Sequence, residues 1–160
     1  MADARWAEFD LSQRLWTIPA ERMKMSGGDE DHEVPITEDL MRLLRGLPRF
    51  TKGDHLFSTT FGAQSVTGFS KAKERIDEIV GALPHWTFYD LRRTMRTNLS
   101  PLQIEDRVRE LMIAHAQPGM HAVYDQWKYR EEKRAGFGLW HTRLASILAA
   151  ETDNVVPLRG

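Results

Sequence analysis

From Thr37 onward, apolar residues recur at three- and four-residue intervals in block after block, and glycine or proline closes most of the blocks. That pattern specifies helices packed on one another and leaves little chain for sheet. Thr37 offers a cap, Glu38 and Asp39 suit the positive end of a first turn, and Leu40, Leu43, Leu44 and Leu47 share a face before Gly46 and Pro48 stop it. Ile76, Ile79, Val80 and Leu83 mark a second helix, begun at Ser70 and closed before Pro84. Residues 50–65 between them read as loop, with Leu56-Phe57 as a buried anchor. Thr87 followed by Asp90 has the form of a capping box, which predicts a helix from Phe88. Ser100-Pro101-Leu102-Gln103 has it too, predicting a helix that turns Ile104, Val108, Leu111 and Met112 inward. Pro118-Gly119 breaks the chain, helical spacing returns over residues 120–134, and Phe137, Trp140, Leu144, Ile147 and Leu148 form a last apolar stripe.

Ahead of Thr37 the period changes to two. Trp16-Thr17-Ile18 and His32-Glu33-Val34-Pro35-Ile36 alternate, with Ser26-Gly27-Gly28-Asp29 between them, which reads as a hairpin with a polar tip. The expected architecture is mainly α with a small N-terminal β-hairpin, an α+β chain. One domain would cover residues 1–150 (hairpin 14–36, helical body 37–150), followed by a flexible tail over 151–160. A chain of 160 residues is long enough to bury a core of its own.

With no cysteine, disulfides and thiolate metal sites are excluded, and the cytoplasm is the default compartment. No apolar run approaches the length of a membrane span, and residues 1–8 have no signal-peptide pattern. The histidines His32, His55, His85, His121 and His141 show no ligand spacing, so no metal site is assigned. The formal charge of −1 neither requires nor forbids a nucleic-acid partner, since phosphate contacts need only a local basic face.

On the helix expected from Phe88, Tyr89, Arg92, Arg93 and Arg96 fall on one side, with Leu91 and Met95 opposite. Guanidinium forks match two phosphate oxygens at once, so such a face can hold a phosphodiester; it can equally be a solvated, salt-bridged surface. Read alone, Tyr124 is a half-buried helix tyrosine, His115 a cap on the preceding helix, and Lys24 an exposed hairpin residue.

The order of these residues goes further. Arg92, then Ile113-Ala114-His115, then Tyr124 nine positions after the histidine resembles the C-terminal catalytic end of the tyrosine recombinases, the phage-integrase family. Trp16-Thr17-Ile18-Pro19-Ala20-Glu21-Arg22-Met23-Lys24 and His32-Glu33-Val34-Pro35-Ile36 are similar to the hairpin of its P4-like subgroup. Phe69-Ser70-Lys71-Ala72-Lys73 and Tyr129-Arg130-Glu131-Glu132-Lys133-Arg134 are similar to other segments of that subgroup.

The resemblance implies the tyrosine recombinase catalytic-domain fold, and site-specific DNA recombination without cofactor or metal. Tyr124 would attack the scissile phosphate to give a 3′-phosphotyrosyl bond, Arg92 would stabilise the non-bridging oxygens, Lys24 would protonate the leaving 5′-oxygen and His115 would hydrogen-bond the phosphate. Arg93, Arg96, Lys71 and Lys73 would face double-stranded DNA at an attachment site. Homo-oligomers would form on it, with Phe137, Trp140, Leu144 and Leu148 packing in trans or folding back in cis. A bacterial or phage origin follows.

Two departures accompany the likeness. Tyr89 stands where the family usually has histidine, and a phenol with an ordinary pKa near 10 is a poor proton shuttle. The family's first arginine lies in an Arg-x-x-Glu motif nine residues before a tryptophan that matches Trp6, about four positions ahead of Met1. The sequence is therefore expected to be a catalytic-domain fragment with little activity of its own; the alternative is a non-catalytic DNA-binding or assembly module.

Overall fold

A computed structural model describes residues 2–23, 30–81, 83–115 and 127–150. Lys24, the hairpin tip, the Pro118-Gly119 break, His121, Tyr124 and the tail all lie outside the described residues. Among those described are three strands, β1 (Phe9–Asp10), β2 (Leu15–Ile18) and β3 (His32–Pro35). There are also five α-helices, α1 (Glu38–Gly46), α2 (Phe69–Val80), α3 (Phe88–Leu99), α4 (Asp106–Met112) and α5 (Arg130–Ala150). The chain is α+β, with one antiparallel sheet in the order β1-β2-β3.

The hairpin pairs in the expected place, with Leu15 opposite Pro35, Trp16 opposite Val34, Thr17 opposite Glu33 and Ile18 opposite His32. Strand β1 escaped the sequence because two residues are too few to alternate. Its turn is set by Asp10, whose carboxylate accepts from the backbone N–H groups of Ser12 and Gln13, each at 2.9 Å. The return aligns the Phe9 and Trp16 rings in a stack 5.0 Å apart.

Two apolar clusters hold the molecule. Ala4, Trp6, Trp16, Ile36, Met41, Leu44 and Leu56 close one between the sheet, α1 and the loop that follows it. Leu56 is the anchor expected of that loop, whereas Phe57 is 41% exposed. On α1, Thr37 caps as expected by accepting from the Leu40 N–H, but Leu43 points to water and Met41 takes its place inside. The sheet meets that helix along the line of Met41 and Leu44, and Leu43 lies outside it.

The second cluster has Leu99, Val108 and Met112 at its centre, with Met95, Ile104, Phe137 and Trp140 packed around them. Burying a side chain such as Leu99 contributes about 1.5–3 kcal/mol.

Two sequence expectations are corrected here. Ser100 sits in helical backbone at the end of α3, so the box expected at Ser100–Gln103 never forms. Residues 100–105 make a turn, and α4 starts only at Asp106. On α3, Leu91 is 62% exposed, whereas Met95 packs against the second cluster. The helical spacing expected over residues 120–134 is interrupted at 127–129, which are not helical, with Tyr129 at φ 49, and α5 starts at Arg130; residues 120–126 lie outside the described residues.

Helix α5 joins the clusters. Its Phe137 and Trp140 pack in cis on α3 and α4, while Leu144 and Leu148 remain exposed. Against β3, Arg130 grips the Glu33 carboxylate with two nitrogens at 2.5 and 2.6 Å. Lys133 donates to the Glu33 carbonyl at 2.5 Å, and Arg134 to the Ile36 carbonyl at 3.2 Å. His141 reaches Asp39 of α1 at 2.7 Å.

Candidate functional site

The site begins with how α3 starts and α4 stops. Thr87 and Asp90 form the expected capping box, which fixes the first turn of α3 and with it the directions of Tyr89 and Arg92. At the far end of α4, the His115 N–H bonds to the Glu110 carbonyl at 2.9 Å and the Ala114 N–H to the Leu111 carbonyl at 3.1 Å. That pair is a Schellman motif. It requires a left-handed residue after the cap, and Ala114 supplies it at φ 53, without the freedom a glycine has there.

His115 leaves this turn with 64% of its side chain exposed. Arg92 reaches across from α3 and donates to the Ala114 carbonyl at 3.4 Å. The arginine and the histidine turn are therefore in contact, although 22 residues separate Arg92 from Ala114.

Behind the turn lies Glu110. One carboxylate oxygen accepts from Arg96 Nε at 2.6 Å, and the other meets His115 Nδ1 at 2.5 Å. Burial pushes this carboxyl up, but the hydrogen bonds from Arg96 and His115 outweigh it and leave the pKa lowered, so Glu110 is ionised at neutral pH. An ionised carboxylate only accepts, so His115 Nδ1 carries the proton it donates.

On the sheet side, His32 at the start of β3 sits in the field of Arg92 and Lys133. Burial first, then those two cations, push its pKa down to about 4, with Glu33 opposing. Lys133 is 4% exposed. Its ammonium is pushed down to about 8 by burial, against the pull of Glu33. Arg92 thus stands between a cationic β3–α5 junction and the His115 turn.

Compared with curated proteins, the sequence is 26% identical over 163 residues to prophage integrase IntA of Escherichia coli K12, covering 97% of this chain and 36% of that protein. It is 29% identical over 160 residues to prophage integrase IntZ of the same organism, covering 96% and 37%. The chain is similar to prophage integrases over nearly its whole length. It spans little more than a third of the length of these relatives. No protein-family model matches it, and no solved structure does.

Tyr89 is 65% exposed on the same helix as Arg92. Arg93 is exposed beside Asp90, which it meets at 3.0 Å. Arg96 is directed inward, bonding Glu110 and also Asp106 at 3.0 Å. On α2, Lys71 is exposed. Lys73 pairs with Asp77 at 2.6 Å and lies over the Trp86 ring at 4.7 Å.

Sequence reasoning missed Glu110, Glu33 and Lys133. Glu110 precedes His115 by five residues, a spacing that no continuing helix brings together; only the reversal at Ala114 does. Among the described residues no group of acidic residues and histidines is placed to hold a metal ion.

Proposed function

We propose that this chain carries the arginine, histidine and tyrosine of a tyrosine recombinase centre, folded as that family's catalytic domain, and acts on double-stranded DNA by cutting and rejoining through Tyr124. The observation that carries the proposal is the bond from Arg92 to the turn that presents His115. The arginine named from its order in the sequence touches the residue just before the histidine named the same way, in a chain similar to prophage integrases. Tyr124 and Lys24, both outside the described residues, enter from the resemblance.

In the proposed reaction the Tyr124 phenolic oxygen attacks phosphorus, a P–O bond forms, and the 5′-oxygen leaves with a proton from Lys24. Arg92 neutralises the charge gathering on the non-bridging oxygens, and His115 donates to one of them. Storing the phosphodiester as a tyrosyl ester lets a second 5′-hydroxyl reverse the step on a new strand, with no nucleotide consumed. No Arg-x-x-Glu precedes Trp6 in this sequence.

The test uses a substrate that needs no recognition site. Thymidine 3′-(p-nitrophenyl phosphate) presents a 3′-phosphodiester with an acidic leaving group, and p-nitrophenolate release reports attack directly. The expected result is slow, single-turnover release, absent in Tyr124→Phe, lowered about 10²–10³-fold in Arg92→Ala, and quickened by guanidinium ion standing in for the first arginine. Release that persists in Tyr124→Phe, or none with guanidinium present, would refute the reading. Salt-sensitive duplex binding without release would instead select the non-catalytic DNA-binding module.

A further inference from the structure

We propose that Glu110 is a positioning residue for His115, holding the imidazole so that Nε2 alone faces the substrate. The inference rests on the recombinase reading for what Nε2 meets, but its geometry stands independently. Three observations converge on it. The Glu110 carboxylate meets Nδ1 at 2.5 Å, and its backbone carbonyl holds the His115 N–H at 2.9 Å, so one residue fixes both the ring and the chain that bears it. Arg96 clamps the other carboxylate oxygen at 2.6 Å, so the acceptor cannot swing away. The Glu110 side chain is 17% exposed and that of His115 is 64% exposed, which puts the anchor inside and the working nitrogen outside.

The two ring nitrogens differ, and the bond made by one decides what the other can do. A free imidazole shares its proton between them and turns about its side-chain bonds. With Nδ1–H committed to Glu110, rotation stops. The doubly protonated ring then donates Nε2–H to a phosphate oxygen, and the neutral ring offers Nε2 as an acceptor. Arg96 belongs to the same device. The sequence places it on the DNA-facing side of α3, but here it secures the carboxylate.

The experiment has two independent arms. Nitrogen-15 NMR of the histidine-labelled chain reads which nitrogen carries the proton. The wild type is expected to keep His115 Nδ1 protonated when the ring is neutral, and Glu110→Ala to shift the neutral ring toward the Nε2–H form. Glu110→Gln, which retains an acceptor oxygen, is expected to restore Nδ1–H and also covers the case in which the alanine variant fails to fold. A His115 ring with Nε2–H in the wild type, or a tautomer indifferent to Glu110→Ala, overturns the proposal.

The second arm compares p-nitrophenolate release. His115→Ala is expected to slow it about 10²-fold, Glu110→Ala to slow it in the same direction, and the double variant to be no slower than His115→Ala alone. Additive losses overturn the proposal. The expected tautomer in a chain without any release would leave the Glu110–His115 pair standing and remove the recombinase reading instead.

Discussion

At the scale of single residues, Ala114 shows a local rule broken. A non-glycine residue in the left-handed region costs about 1 kcal/mol, and the Schellman turn imposes that conformation. Ala114→Gly is therefore expected to raise stability by roughly 0.5–1 kcal/mol, read as a higher thermal midpoint; an unchanged or lower midpoint would mean the turn is not built as described. His32 makes a second case. Its pKa falls from the ordinary histidine value to about 4 on folding, so the unfolded chain binds more protons between roughly pH 6.5 and 4. The sign follows: stability is fully present above pH 6.5 and is lost as pH falls toward 4, by up to about 3 kcal/mol. Urea denaturation across that range should show the loss, and His32→Gln should flatten the curve. A slope equal to that of the wild type would show that His32 is not shielded by the β3–α5 junction.

At the scale of elements, α4 and α5 touch where α5 has no side chain. A methyl group on Gly136 would lie 2.6 Å from Met112 Sδ and 3.5 Å from Ile104 Cδ1. Gly136→Ala is expected to cost about 1–3 kcal/mol by overpacking, and Met112→Ala about 2–5 kcal/mol by leaving a cavity. Combined, they should cost less than the sum, because the methyl fills part of the space the thioether vacates. Strict additivity in denaturation would contradict the packing.

Elements are also where the sequence was most legible. The hairpin register region, the Thr37 and Thr87 caps, and the existence of α1, α2 and α3 follow from local chemistry that sequence spacing records. What spacing does not record is competition. The Ser100–Gln103 box is as good on paper as Thr87–Asp90, yet α3 runs through to Leu99 and consumes Ser100 as its own terminus. Leu43 fits its apolar stripe, and only the position of the partner element decides that it faces water.

At the scale of the whole molecule, α5 joins the two clusters, and it does so with cations as much as with apolar surface. Arg130, Lys133 and Arg134 bind β3, while Phe137 and Trp140 bind the α3–α4 cluster. The order of Arg92, His115 and Tyr124 was visible in the sequence because it is a matter of spacing along the chain. The Glu110 anchor and the buried Lys133 were not, since each depends on a contact across a turn or between distant elements. The described residues contain no helix long and apolar enough to cross a membrane.

The central claim is that Tyr124 is the nucleophile, and peptide mapping of the nucleotidyl adduct tests it most directly. The chain has three tyrosines, so digestion and mass analysis after reaction with thymidine 3′-(p-nitrophenyl phosphate) must place the added nucleotide on one of them or on none. The account predicts the mass on the peptide containing Tyr124. A nucleotide on Tyr89 or Tyr129, or no adduct even with guanidinium present, would contradict it.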